Sequence, residues 1–338
     1  MGSRKPLREA GFAALFLLLT VFLLQLAGAV LRPPQVSFGS TWRAYRAEPK
    51  NSIDVLYFGS SYAYCDYDPV EVYRETGLTG YVMGGSEQTM SITYWYLREA
   101  LATQTPSAVV IEPTGVFFER YQSFTQTNLV YMPFSLNKLG AVFTAAEPAL
   151  RPGLLFDLWF YHDRWREVTL SDALERLSPA RPDEKKGNTP VQGTAQELPG
   201  APVRSGMSIS GEQYQENLNW LDRCLSLCRA RKIPVLLLVN PTYSQYLPEV
   251  YGELEEHVRR TAPEAHFVNW SDAWDALGLT PALHLYDGGH LNHDGAILYS
   301  HAVGRLLQEE LALVPRPQSG ANAAAWDALL QRCDAPNA

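Results

Sequence analysis

Ile53-Asp54-Val55-Leu56-Tyr57-Phe58-Gly59-Ser60-Ser61-Tyr62 is a short β-rich run that stops at a glycine and passes into two serines. An apolar stretch this short, closed by a turn residue, predicts a buried strand over 53–58. Gly59 permits a tight strand-to-helix turn, and Pro69 suits the first turn of a helix over 68–75. The same unit recurs downstream. A second strand is predicted over 80–83, before a helix over 89–103, and a third over 108–112, between Pro106 and Pro113. Further on, a helix over 212–232 leads into Val235-Leu236-Leu237-Leu238-Val239, the clearest strand in the chain. Its unbroken apolar character fits a parallel strand covered on both faces. A helix over 247–260, a strand over 266–269 and a last helix from Asn292 to about Glu310 complete the pattern. Alternation of this kind predicts one α/β domain over 52–312, a three-layer α/β/α sandwich around a parallel sheet.

Between about 116 and 210 the alternation breaks down, and the segment reads as an insertion or lid. Aromatic patches (Phe117, Phe118, Tyr121, Phe124; Trp159, Phe160, Tyr161, Trp165) precede a polar stretch, 178–200, expected as a long exposed loop. Residues 33–51 read as a stalk, or as an entry helix around Trp42 and Tyr45, and 313–338 as a C-terminal tail.

Ahead of this domain, Arg4, Lys5 and Arg8 precede an apolar run from Ala10 to Leu31. At ~1.5 Å per residue the run is long enough to cross a bilayer core of about 30 Å. The basic cluster predicts a cytoplasmic N-terminus and an exported remainder, with 1–32 as cytoplasmic stub and signal-anchor of a single-pass protein. A cleaved signal peptide is the competing reading, since Ala27-Gly28-Ala29 resembles a cleavage site. The run exceeds the usual signal-peptide core, which favours the uncleaved anchor. Either way the domain is extracytoplasmic.

A formal charge of −8 argues against a nucleic-acid partner, whose phosphates are met by an excess of Lys and Arg. Neither a G-x-G-x-x-G nor a Walker-type motif is present, and no cofactor is implied. Cys224 and Cys228, one helical turn apart, are badly placed to bridge each other. Lacking a second ligand pair nearby, they make no metal site, so buried or unpaired thiols are expected.

In open parallel sheets, active groups gather beyond the carboxyl ends of the strands. Three segments fall there. Ser61, on the turn after the first strand, can present its hydroxyl above the sheet edge. Asp287-Gly288-Gly289-His290, before the last helix, can supply the base that a serine needs and the carboxylate that fixes the base's tautomer. Gly84-Gly85, after the second strand, can aim backbone N–H groups at a developing oxyanion. His284 and His293 flank the couple and read as surface groups. His162 with Arg164, in the insertion, could bind an anionic or sugar group. Glu112, at a strand end, is a possible supporting group.

Taken together these segments resemble the SGNH (GDSL-like) hydrolase superfamily over roughly residues 52–310. Gly59-Ser60-Ser61 is similar to its first block, Gly84 to the glycine of its second, and Asp287-x-x-His290 to its last. Phe58-Gly59-Ser60-Ser61 and the stretch from Asp287 to Gly295 look most similar to membrane-anchored DltD and AlgJ/AlgX-like proteins of cell-envelope polymer acylation. Two departures stand out. Ser60 replaces the common first-block aspartate. Glu112-Pro113-Thr114-Gly115 also lacks the third-block asparagine that donates to the oxyanion, leaving Thr114 as its substitute.

The resemblance implies a serine O-acyl esterase or O-acyltransferase acting on a carbohydrate or cell-envelope polymer. Ser61 would be nucleophile, His290 general base, Asp287 its orienting partner, and Ser61, Gly84 and Thr114 the oxyanion donors. An acylated carbohydrate and a membrane-bound acyltransferase are the implied partners. A catalytically silent binding or scaffold component is the alternative, motivated by the missing asparagine. A sugar-binding module using the aromatic insertion is a third.

Overall fold

Seven short strands, fifteen α-helices and three three-ten turns make up the regular structure of the computed structural model, which describes residues 4–34 and 42–334. The strands are β1 (Val55–Gly59), β2 (Gly80–Gly84), β3 (Ala108–Ile111), β4 (Val203–Ser205), β5 (Val235–Val239), β6 (Ser244–Tyr246) and β7 (His266–Asn269). The helices begin with α1 (Arg4–Leu31), α2 (Trp42–Tyr45), α3 (Ser61–Asp66), α4 (Pro69–Thr76) and α5 (Met90–Ala100). The insertion adds α6 (Gln122–Val130), α7 (Leu136–Thr144), α8 (Arg151–Leu155), α9 (Leu158–Tyr161) and α10 (Leu170–Leu177). The chain closes with α11 (Gly211–Ala230), α12 (Pro248–Thr261), α13 (Pro281–His284), α14 (His293–Leu311) and α15 (Gly320–Cys333).

Five of the strands form one all-parallel sheet in the order β2-β1-β3-β5-β7. Side chains alternate across a strand, so neighbouring residues feed opposite layers. Leu56, Phe58, Val109, Ile111 and Leu237 pack on one face, in a core shared with α5, α11 and α12. Val55, Tyr57, Val110, Leu236 and Leu238 pack on the other, against α3, α4 and α14. Every residue of β1, β2, β3 and β5 is buried, as a strand covered on both sides must be. This is the expected three-layer α/β/α arrangement. β4 and β6, which local pattern does not announce, pair in parallel as a small second sheet beside the strand ends.

Three segments go beyond expectation. Of the two readings of 33–51, the entry helix around Trp42 and Tyr45 is present as α2 and is part of the core: both residues are 1% exposed, in edge-to-face contact with Tyr96 and Tyr81; residues 35–41 lie outside the described residues. The loop over 178–200 is in part a strap. Lys186 O accepts the Val82 N–H of edge strand β2, and the Lys186 ammonium is buried on both carboxylate oxygens of Glu48. An edge strand leaves backbone groups unpaired, and the strap meets that need. The tail contains α15, whose Trp326 is buried against Val70 and Tyr73.

Helix α1 is apolar from Arg8 to Leu31, long enough to cross a membrane or to act as a signal sequence. Its side chains are largely unburied; Phe12, Leu15, Phe16 and Leu18 are all well over half exposed. None of the four cysteines is in a disulfide; Cys65, Cys224 and Cys228 are buried and Cys333 exposed.

Candidate active site

At the carboxyl end of β1 the chain makes a tight turn into α3. Gly59 has φ +158°, and a Cβ there would come 2.6 Å from the Cβ of Glu112. Glycine is required because the end of β3 lies against it. Ser60 caps α3: its Oγ accepts the Tyr62 N–H and donates to Glu112 Oε2 at 2.8 Å. Glu112, fully buried, also accepts the Ser60 N–H on Oε2 and the Thr114 N–H on Oε1. Burial pushes its pKa up despite these donors. An aspartate at position 60 would set a second carboxylate against Glu112. With serine there, one acid serves the turn.

Ser61 is then the first residue of α3, and its Oγ is 2.8 Å from His290 Nε2. His290 Nδ1 is 3.0 Å from both oxygens of Asp287. An ionised carboxylate only accepts, so the ring proton sits on Nδ1 and Nε2 is left to accept the serine hydroxyl. The Asp287 carboxylate also receives the N–H groups of Gly289 and His290. Burial raises the Asp287 pKa, but the His290 hydrogen bond and charge and these amides outweigh it, holding it at about 2. For His290, burial lowers the pKa; the hydrogen bond to Asp287 and the negative charges of Asp66, Asp287 and Glu112 raise it more, so the net shift is upward.

The loop carrying the couple is held from several sides. Gly288 O accepts the N–H groups of Tyr243 and Ser244, just before and at the start of β6. Leu285 and Leu291 bridge across its base, and Leu291 N–H donates to Asp66 Oδ1 at 2.9 Å. The Tyr62 ring stacks on His290 with centroids 5.2 Å apart. Asp66 is fully buried; burial raises its pKa to about 7, opposed by the charge of His290 and hydrogen bonds from Asn240 and Leu291. Asn240, just past β5, gives its amide hydrogens to Tyr62 O and Asp66 Oδ2 and accepts from the Tyr57 and Tyr299 hydroxyls.

A cavity of about 300 Å³ opens beside the turn. Tyr62, Glu112 and Thr114 line it on the side of the turn, and Ser205, Ser208, Thr242, Ser244 and Tyr246 on the other. Hydroxyls and aromatic rings dominate, and no Lys, Arg or His is among the described residues that line it. Past Phe118, Ser208 and Tyr246 it continues as a shallow groove.

Ser61, Asp287 and His290 are thus brought together, and Gly84 lies alongside: a Cβ on it would be 3.0 Å from Ser60 O. The neighbouring Gly85 N–H is spent on Gly59 O. Thr114 is buried in the cavity wall, its N–H committed to Glu112 and its hydroxyl 3.5 Å from Ser60 Oγ. His162 and Arg164 go elsewhere. They belong to a three-ten turn that packs on α1, where Arg164 donates to Leu31 O and pairs with Glu167. Their expected role at the substrate has no geometric support, because the insertion folds back onto the N-terminal helix. His284 is occupied in accepting the Thr280 N–H. Asp66, Asn240 and residues 203–208 and 242–246 were not legible as site residues, although Asn240 follows a strand end, the same signal that marks Ser61.

No family model matches the chain, and no curated protein does. Among solved structures it is similar to one described as an acylhydrolase from Bacteroides fragilis, at 11% identity, 80% of this chain and 95% of that one, with a TM-score of 0.40. A GDSL-like lipase from Bacteroides thetaiotaomicron is 14% identical over 80% of this chain and 95% of its own, with a TM-score of 0.36. The SGNH-hydrolase family esterase AlinE4 is 14% identical over 78% of this chain and 97% of its own, with a TM-score of 0.31.

Proposed function

We propose that this protein is a membrane-anchored, extracytoplasmic serine O-acyl esterase or O-acyltransferase acting on a carbohydrate or cell-envelope polymer. The observation that carries the reading is the continuous relay from Ser61 Oγ through His290 to Asp287, at 2.8 and 3.0 Å. In it, His290 Nε2 takes the serine proton as Oγ attacks an ester carbonyl. The resulting tetrahedral oxyanion is met by the Ser61 N–H, which has no protein acceptor among the described residues, with Gly84 and the Thr114 hydroxyl beside it. Collapse expels the alcohol, which recovers the proton from His290 and leaves an acyl-serine. Water or a sugar hydroxyl then takes the acyl group by the reverse proton path.

The hydroxyl-rich cavity, with no Lys, Arg or His among the described residues that line it, favours a neutral, hydroxylated ligand with a ring face to stack on Tyr62 or Tyr246 over a phosphorylated one. Helix α1 supports the anchor reading against a cleaved signal peptide, because Gln25, which cleavage at Ala27-Gly28-Ala29 would remove, donates to Leu155 O, and Gly28 packs closely on Asp157. Kinship with DltD and AlgJ/AlgX-like proteins, and a membrane-bound acyltransferase as partner, belong to the same proposal.

A second reading, a silent binding component, is favoured by one observation: the Thr114 backbone donor is tied to Glu112 Oε1. Both are decided with the detergent-solubilised full chain, a fluorophosphonate probe and an acetylated sugar ester. We expect labelling at Ser61, and ester cleavage that falls by at least about 10³-fold in Ser61→Ala. No labelling and no cleavage by the unmodified chain selects the silent reading. Cleavage that survives Ser61→Ala places the chemistry elsewhere.

A further inference from the structure

The face of the insertion that surrounds the end of α1 is apolar and uncovered. Trp159 and Trp165 are 66% and 63% exposed, and Leu170, Leu174 and Leu177 are all more than half exposed. The three leucines stand at i, i+4 and i+7 of α10 and form one stripe. Isolated exposed apolar residues are ordinary, but five large ones on three short elements that all pack on α1 mark a surface that meets something.

Its position relative to α1 says what it meets. The insertion grips the last two turns of that helix. Gln25 donates to Leu155 O; Gly28 lies against Asp157, where a Cβ would approach to 2.9 Å; Arg176 donates to Val30 O and Arg164 to Leu31 O. A bilayer core of about 30 Å takes up roughly twenty helical residues. Counted from Ala10, the first residue past Arg8 and Glu9, those residues end near Ala29. The gripped turns therefore lie at the outer edge of the hydrocarbon, and the groups that hold them lie at that depth too.

We propose that this face of the insertion, built by α9, α10 and the turn between them, is a collar that sits in the lipid headgroup region around the anchor. The occupant is the lipid surface itself. Tryptophans favour that layer because they are amphipathic, and leucine stripes reach into the acyl boundary. Arg166, stacked over the Trp165 ring at 5.0 Å and exposed, is placed to reach lipid phosphates. The collar fixes the domain against the membrane rather than leaving it on a free tether. This inference rests on the anchor reading of α1 and is independent of the chemistry at Ser61.

The test uses the full chain reconstituted into phosphatidylcholine vesicles, with or without bromine on the upper part of the acyl chains. Helix α1 contains no tryptophan, so it cannot itself be quenched. If Trp159 and Trp165, two of eight tryptophans, lie at the interface, bromine lowers emission by up to about a quarter. In the Trp159→Phe/Trp165→Phe variant that loss disappears. Flotation and alkaline washing are run in parallel. A chain that stays with the vesicles but shows no bromine quenching, or equal quenching in both forms, overturns the collar and leaves the anchor standing. A chain that washes off the vesicles overturns both.

Discussion

His290 can act as a base only while its ring is neutral, and the negative charges around it keep the ring protonated to higher pH than an ordinary histidine. The low-pH limb of kcat/KM should therefore lie above the usual imidazole value near 6.5, with activity rising as pH rises through it. Asp66 contributes to that shift without touching the ring's hydrogen bonds. Replacing it as Asp66→Asn should move the limb toward lower pH while the Ser61–His290–Asp287 relay persists. A pH profile of ester cleavage, read alongside a profile of the unmodified chain, measures the displacement. An unmoved limb would mean that Asp66 holds the loop and has no electrostatic part. At this scale Ser61 and the Asp287–His290 couple were legible, because a serine after a strand-ending glycine and an acid three residues from a histidine are local patterns. Asp66 and Asn240 were not. Nothing in Cys65-Asp66-Tyr67 says that the carboxylate will be buried under a loop more than two hundred residues away, and burial is what gives it its chemistry.

Among elements, the strap over 186–189 does more than connect. It pairs with β2, donates Asn188 Nδ2 to Tyr64 O and Tyr67 O at the end of α3, and seats Lys186 on Glu48 under the Trp326 ring. Removing the ammonium leaves Glu48 buried and unpaired, and breaking such pairs costs about 3–5 kcal/mol. Lys186→Ala should lose stability on that scale in denaturant unfolding, while Glu48→Gln/Lys186→Met, which removes both charges, should recover most of it. If both variants lose the same amount, the cost comes from packing and the ion pair is incidental. The polar composition of 178–200 pointed to a solvated loop. Composition reports what a segment can tolerate; it could not report that an unpaired sheet edge needed this segment's carbonyl.

Across the whole molecule, two cores on opposite faces of one sheet hold three of the four thiols, Cys224 and Cys228 on one side and Cys65 on the other. Burial raises the pKa of all three, which further slows attack by a thiolate. In the solubilised chain one thiol, Cys333, should react quickly with a maleimide and the other three only after unfolding. A second fast equivalent would show that one of the layers opens in the native state.

The sequence by itself determined the five strands of the main sheet, the burial of β5 on both faces, the glycine turn into Ser61, the Asp287–His290 couple and an N-terminal helix fit for a bilayer. All of these are written in residues near one another, where period, turn chemistry and apolar length act. Only the tertiary structure decided that Ser61 and His290, 229 residues apart, share a proton path, that Glu112 and Asp66 lie beneath it, and that the insertion turns toward α1 and away from the site. Those outcomes depend on how the sheet closes and which backbone groups remain to be paired. They are properties of the packed chain that no single stretch of it carries.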